Sequence, residues 1–269
     1  IAMAEIQIFD KKLRRLHRDR ASKIIGKHDF IIKEATQRLI ERIGEEINHK
    51  FDAALDIGSR SKYLSELKKK YNSALFVSSD ISAKMLRTIA HGKSICLDEE
   101  YLPFRPESFD LVTSVLDLHW INDLPGCLIQ IKTILKNRGL FLGSMLGGQT
   151  LFELRSALIE VEINKTGGIS PRISPLIDIK DAGALMQRAG FKLPVVDSDR
   201  VVYLYPNVLS LINDLRGIGG TNALLQRSAT ALSKQTLSLL EAKYRELFAD
   251  DSGLLPATFD IVTMTGWKS

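Results

Sequence analysis

Cysteine is nearly absent: the 269 residues hold two, Cys96 and Cys127. They stand far apart, so they make no Cys-x-x-Cys metal or redox site, and they read as residues of a reducing compartment. Long apolar runs are also missing. None reaches the roughly 18 residues of a membrane-spanning helix. The start of the chain lacks the apolar stretch of a secretory signal, so neither feature is expected. Excess charge is small, with 37 Lys and Arg against 32 Asp and Glu, or +5. That is too little to name a nucleic-acid partner by itself. A content of 45% hydrophobic and 26% charged residues excludes disorder, collagen and coiled coil. A chain of this length can bury a sizeable core.

The charge that is present is uneven. Lys11 to Lys27 carries eight basic residues and one acid, Asp19. Phe9, Leu13 and Leu16 recur there at helical spacing, which predicts a basic amphipathic helix. A second helix is expected from an Asp29 cap to about Ile47, with Ile32, Ala35, Leu39, Ile43 and Ile47 as its stripe. From Phe51 the pattern changes to short apolar runs alternating with helical segments. Strands are predicted at Phe51–Ile57, Ala74–Ser79, Ser94–Leu97, Phe109–Leu116 and Leu140–Leu146. Helices are predicted near Tyr63–Leu67, after Ser82, and through Leu128–Leu135, the last stopped by Asn137-Arg138-Gly139. Such alternation implies a parallel sheet covered on both faces. Beyond Gly147 the pattern loosens. A long loop to Pro175 carries one helix near Leu151–Glu162. A helix over Asp178–Ala189 follows, then a strand or strand pair over Val195–Tyr205. Helices near Val208–Leu215 and Leu237–Phe248 precede a last strand at Phe259–Trp267.

The order strand, glycine, helix, strand, acid, helix opens a nucleotide-binding α/β sheet, whose ligands lie beyond the carboxyl ends of the strands. Three acids fall there in register: Asp56 before Gly58, Asp80, and Asp98. At the second strand a carboxylate can accept from two ribose hydroxyls, and at the third from an adenine amino group. The alternative for each is an ordinary strand-end or cap aspartate. His119, after strand four, is a candidate base because its reference pKa lies near neutrality, or else a structural partner of Trp120. His17-Arg-Asp19 and Asp117-Leu-His119 have part of the spacing of an iron site, but no third ligand suggests itself, and no metal is expected. No nucleophilic Ser/His/Asp or Cys/His set is visible.

Leu55-Asp-Ile-Gly58, Ser79-Asp-Ile-Ser82, Asp98-Glu-Glu-Tyr-Leu-Pro-Phe104, Ser108-Phe-Asp-Leu-Val112, Leu118-His-Trp120 and Leu135-Lys-Asn-Arg-Gly139 resemble the successive motifs of class I S-adenosylmethionine (SAM) methyltransferases. Within that superfamily the chain is similar to the malonyl-acyl carrier protein methyltransferases of the BioC type. It is closer still to the methyltransferase-fold assembly factors of respiratory complex I, known as protein-arginine hydroxylases. Gly167–Pro175, Asp214–Gly219 and Pro256–Trp267 carry that finer likeness, and the whole runs from about Phe9 to Lys268.

The resemblance implies a Rossmann-like, mostly parallel seven-stranded sheet with helices on both faces and helical additions at both ends. It implies a helical lid over residues 1–48 and a methyltransferase-fold domain over 49–269, with inserted segments at 147–176 and 206–252. Asp56, Gly58, Ser59, Asp80, Ile81, Asp98, Glu99 and Leu116 become the residues for SAM, with Trp120 and Arg172 toward the substrate. A protein substrate is implied, either a complex I subunit or an acyl carrier protein. The compartment is the cytoplasm of a bacterium or the mitochondrial matrix of a eukaryote. One departure stands out: where the family has its second and third loop glycines, this chain has Arg60 and Lys62. Either their side chains swing outward, or Arg60 fills the site. Three functions follow: methyl transfer to a protein-borne group, hydroxylation of the assembly-factor kind, or an assembly role without catalysis. The basic segment Lys11–Lys27 reads as a lid or as a contact with an anionic membrane or acidic partner. Nucleic acid is not expected, since no aromatic residues interleave its charges.

Overall fold

The computed structural model describes residues 7–46, 51–62, 75–89, 92–228 and 231–269. The helix expected around Tyr63–Leu67 lies outside them, as does Ile47, the last residue of the expected second-helix stripe. Seven strands form one sheet: β1 (Ala53–Ile57), β2 (Leu75–Asp80), β3 (Lys93–Cys96), β4 (Phe109–Val115), β5 (Leu135–Leu146), β6 (Lys192–Tyr205) and β7 (Leu255–Trp267). Their order is β3-β2-β1-β4-β5-β7-β6. Neighbours from β3 to β5 run parallel, and β7 lies antiparallel to both β5 and β6.

Eight helices are described: α1 (Lys11–Ala21), α2 (Phe30–Glu46), α3 (Ala83–Ile89), α4 (Leu124–Ile134), α5 (Phe152–Thr166), α6 (Ile179–Arg188), α7 (Val208–Gly217) and α8 (Lys234–Phe248). The strands alternate their side chains between two cores. Ala54, Phe76, Leu111, Leu142 and Phe259 join Ile32 and Leu39 of α2 and Leu240 of α8 on one face. Leu55, Val77, Val112, Phe141 and Met264 join Leu128 and Ile131 of α4 and Met186 of α6 on the other. All five residues of β1 are buried, as a central parallel strand covered on both faces requires.

The boundaries differ from the sequence expectation in instructive places. Asn137-Arg138-Gly139 is not the helix stop: α4 ends at Ile134 and β5 begins at once. The triplet instead sits in a break of register between β4 and β5, with Arg138 at φ 61°. Val195–Tyr205 belongs to a single strand starting at Lys192. In α1 the expected apolar stripe is buried only in part: Phe9 is buried and Leu13 packs against its cluster. Leu16 is 41% exposed, whereas Arg14, Arg18 and Ala21 are the buried residues. Among the described residues, no helix is long and apolar enough to cross a membrane.

Candidate cofactor site

The strand order reverses between β1 and β4, and the site lies at the carboxyl ends of these strands. Asp56 lies in β1, Asp80 ends β2, Glu99 follows β3, and Asp117 follows β4. All four acids are at most 1% exposed. Such a cluster is unstable unless cations neutralise it.

Helix α1 supplies two. Asp10 caps it, accepting from the Leu13 amide at 3.0 Å. The preceding backbone is clamped: the Ile8 and Phe9 amides both donate to Asn122 Oδ1 at 2.7 Å, and the Phe9 ring meets Trp120 edge-on at 5.5 Å. Positions 14 and 18 then share one face, one turn apart. Arg14 Nη1 donates to Glu99 Oε2 at 3.0 Å, and its Nη2 donates to both oxygens of Asp117 at 2.7 and 2.8 Å. Arg18 donates to Asp117 and stands 3.7 Å from Asp80. Lys11, on the same face, bridges Asp98 and Glu100 at 2.8 Å each.

Arg60 supplies the third buried cation. It donates to three backbone carbonyls, those of Ile218 at 3.1 Å, Val115 at 3.2 Å, and Leu116. Leu116 presents its carbonyl from the left-handed region, at φ 50°. Arg60 therefore turns into the site, while Lys62 is exposed. Gly58 is the glycine that the loop retains. Its φ is 69°, and a Cβ there would run into the Asp117 carboxyl.

The electrostatics follow from burial. Burial pushes Asp56 up to about 7, against hydrogen bonds from Ser59 and Thr113. Burial likewise pushes Glu99 up to about 7, and raises Asp80, against the pull of Arg14 and Arg18 respectively. Asp117 is the exception. Burial would raise it too, but Arg14, Arg18 and Arg60 together hold it below the ordinary carboxylate range. Burial, and then repulsion from Arg18, lowers Arg60 to about 9, so it stays charged at neutral pH.

The other sequence candidates distribute around this cluster. Ser59 is buried, its hydroxyl on Asp56 and its amide on the Ser79 carbonyl at 2.7 Å. Ile81 is half-buried beside Asp80. Asp98 is held by Lys11 rather than left facing a pocket. His119 is corrected as a base of near-neutral pKa. Burial, then the positive field of Arg60, lowers it to about 3, and its Nδ1 accepts the Leu146 amide at 3.3 Å. Trp120 and Arg172 both line a cavity of about 830 Å³ that Arg60, Leu116 and His119 close off on the strand side. Arg172 also donates its Nε–H to Glu162. Arg14 and Arg18 were not singled out from the sequence, and Asp117 was weighed there only beside His119 as part of a metal-site spacing. The signal available was the spacing Lys11, Arg14, Arg18, which puts three cations on one helix face.

The resemblance implies SAM here, and the arrangement can be tested for it. Asp80 Oδ1 accepts the Ser82 amide at 2.7 Å, and its Oδ2 has no hydrogen-bond donor, facing only Arg18. Arg18 Nε and Nη1, Arg14 Nε and Arg60 Nε also make no hydrogen bond among the described residues, although Arg18 Nη1 faces Asp80. The 830 Å³ cavity is lined by none of Asp56, Asp80, Asp98 or Glu99. In this arrangement the cradle does not fit SAM, because the arginines stand between its acids and open space.

A family model described as a methyltransferase domain matches residues 55–143. Human "Arginine-hydroxylase NDUFAF5, mitochondrial" is 39% identical over 98% of this chain and 77% of its own. The malonyl-[acyl-carrier protein] O-methyltransferase of Gallionella capsiferriformans is 31% identical over 97% of this chain and 92% of its own. Among solved structures, Haemonchus contortus phosphoethanolamine N-methyltransferase 2 in complex with S-adenosyl-L-methionine shares the fold. Its TM-score is 0.56 at 17% identity, over 95% of this chain and 60% of that one. With its switch-point acids, its glycine loop and relatives this similar over nearly the whole length, the chain belongs to the methyltransferase-fold family that contains the arginine-hydroxylase NDUFAF5 and the malonyl-[acyl-carrier protein] O-methyltransferases.

Proposed function

We propose that this protein is a SAM-dependent methyltransferase of that family, acting on a protein-borne group, and that α1 keeps the cofactor site shut until it moves. The observation that carries the reading is the register of Asp56, Asp80 and the Asp98–Glu99 pair at successive strand ends. In this reading, once α1 has withdrawn and Arg60 has swung clear, Asp80 takes the ribose hydroxyls and Asp98 the adenine amino group. Gly58, Ser59, Ile81, Glu99 and Leu116 complete the wall. SAM supplies the activated methyl group, and the chain's task is orientation, which needs no strong base. With α1 docked, His119 is neutral at physiological pH. Trp120 and Arg172 face the space left for the acceptor.

The acceptor is proposed to be the free carboxylate of a malonyl group on a carrier protein, or a protein arginine, from the names its relatives bear. The basic segment Lys11–Lys27, as a contact for an anionic membrane, would rely on Lys12, Arg15, Arg20, Lys23 and Lys27, which are exposed. A second reading is arginine hydroxylation. It is favoured by the 39% identity to the human NDUFAF5 protein and by a SAM cradle filled with arginine.

One experiment separates the readings. The protein is incubated with malonyl-acyl carrier protein or an arginine-bearing complex I peptide, once with SAM and once with dioxygen and a two-electron reductant, and the products are weighed by mass spectrometry. Gain of a methylene mass that requires SAM supports the proposal. Gain of one oxygen supports the second reading. No mass change, with no heat of SAM binding by calorimetry, contradicts both and leaves an assembly role.

A further inference from the structure

The cavity beside His119, the space that the proposed function leaves for the acceptor, has a composition that the reading does not account for. Its volume, about 830 Å³, falls within the roughly 300–1,000 Å³ typical of small-molecule sites. Leu151, Leu154 and Leu158 from α5 and its approach form one wall, and Ile212, Leu232 and Leu240 form another. Trp120 is the sole Phe, Tyr or Trp among the described lining, and most of the rest is aliphatic, so the walls suit a flexible alkyl chain better than a stacked ring.

The polar part of the lining is one-signed. Five arginines line the cavity (Arg20, Arg60, Arg172, Arg216 and Arg227), and no described lining residue is acidic. Three have partners inside the protein: Arg60 on carbonyls, Arg172 on Glu162, and Arg227 on Asp10 at 3.5 Å. Arg20 and Arg216 are exposed, lie at the ends of α1 and α7, and make no side-chain hydrogen bond or ion pair among the described residues. The positive field of the lining is felt by His17, another lining residue. Burial lowers its pKa, and Arg20 and Arg227 lower it further.

We propose that this cavity is a binding site for a long-chain carboxylate, with the alkyl chain between α5, α7 and α8 and the carboxylate at the mouth on Arg20 and Arg216. An apolar, aliphatic interior ending in unpaired guanidinium groups matches the two halves of such a molecule, and guanidinium suits a carboxylate head in bidentate geometry. The site needs no cofactor, so its test stands apart from that of the methyltransferase reading.

The experiment is calorimetric titration of the whole protein, without SAM, using octanoate, decanoate and dodecanoate below their micelle concentrations. Dodecanol and dodecyl phosphate are the comparison ligands. The expected result is affinity rising about three- to four-fold per added methylene. Dodecanoate should bind at least about ten-fold tighter than dodecanol. Arg20→Ala with Arg216→Ala, both on the exposed surface, should erase that preference while leaving dodecanol binding unchanged. Leu209→Trp, at a half-exposed lining position, should weaken all ligands together. No binding of dodecanoate, affinity independent of chain length, or an unchanged carboxylate preference in the double variant would each overturn the proposal. Dodecyl phosphate binding tighter than dodecanoate would overturn the choice of a carboxylate head.

Discussion

Asp117 shows how much one side chain can carry. It is fully buried and accepts from two arginines of α1, and its neighbour in space, Gly58, has room for no side chain. Replacing it with Asn leaves Arg14 and Arg18 buried with one charge too few. Asp117→Asn is expected to lose about 3–5 kcal/mol of stability in urea unfolding. A loss under about 1 kcal/mol would mean the arginines find water or another acid. Asp56 carries the opposite sign. Its pKa rises on folding from 3.8 to about 7, chiefly through burial, so the folded state holds a proton that the unfolded state releases. Its contribution is fully present below about pH 4 and is lost as pH rises through about 7. Asp56→Asn should therefore gain stability relative to the parent across that window, by a few kcal/mol at most. Unfolding measured at pH 5 and pH 8 checks this, and a constant difference between the two proteins would refute it. The three strand-end aspartates were legible in the sequence, because an acid after a buried strand is a local pattern. The arginines were not. An amphipathic reading sends Arg14 and Arg18 to water, and only acids 85 to 103 residues away bring them inside.

Helix α1 is the element on which the account turns. Its apolar side chains do little to hold it: Leu16 is exposed and Leu13 half-buried. Docking rests on the Phe9–Trp120 contact, the Asn122 clamp, the Lys11 bridges and the two arginines. A helix held mainly by charge is sensitive to ionic strength only where its pairs are exposed. Lys11 is partly exposed and Arg14 is not. Lys11→Ala is thus expected to loosen α1 modestly, by up to about 1 kcal/mol, with less effect at high salt. Phe9→Ala should cost about 3–5 kcal/mol, since it removes a buried ring from the small cluster with Trp120 and Leu224. Salt titration of both variants distinguishes the two kinds of attachment. The sequence indicated that a helix stands here, with Phe9 and Leu13 inward, but its periodicity missed the two arginines that are buried and placed Leu16 wrongly. Elsewhere the same reasoning succeeded where burial is apolar: α2 buries Ile32, Ala35, Leu39 and Ile43 as its stripe indicated. It failed at Asn137-Arg138-Gly139, where a strand irregularity uses the same residues as a helix end.

For the whole molecule, the seven-stranded sheet sets four acids at one edge of the fold, and the surrounding segments decide what meets them. Here α1 and the loop after β1 meet them with arginine, and the cavity beyond is separated from the acids by Arg60. Cofactor binding and α1 docking then compete for Asp80, Asp98 and Glu99. A ligand that binds one conformation better shifts the population toward it, so SAM must release α1 to the extent that it binds. The direct test is amide hydrogen exchange of the intact protein, followed by mass spectrometry over Lys11–Ala21, with and without saturating SAM. The account expects the α1 amides to exchange faster when SAM is bound. SAM binding that leaves those amides unchanged or more protected, or no binding at millimolar SAM, would contradict it.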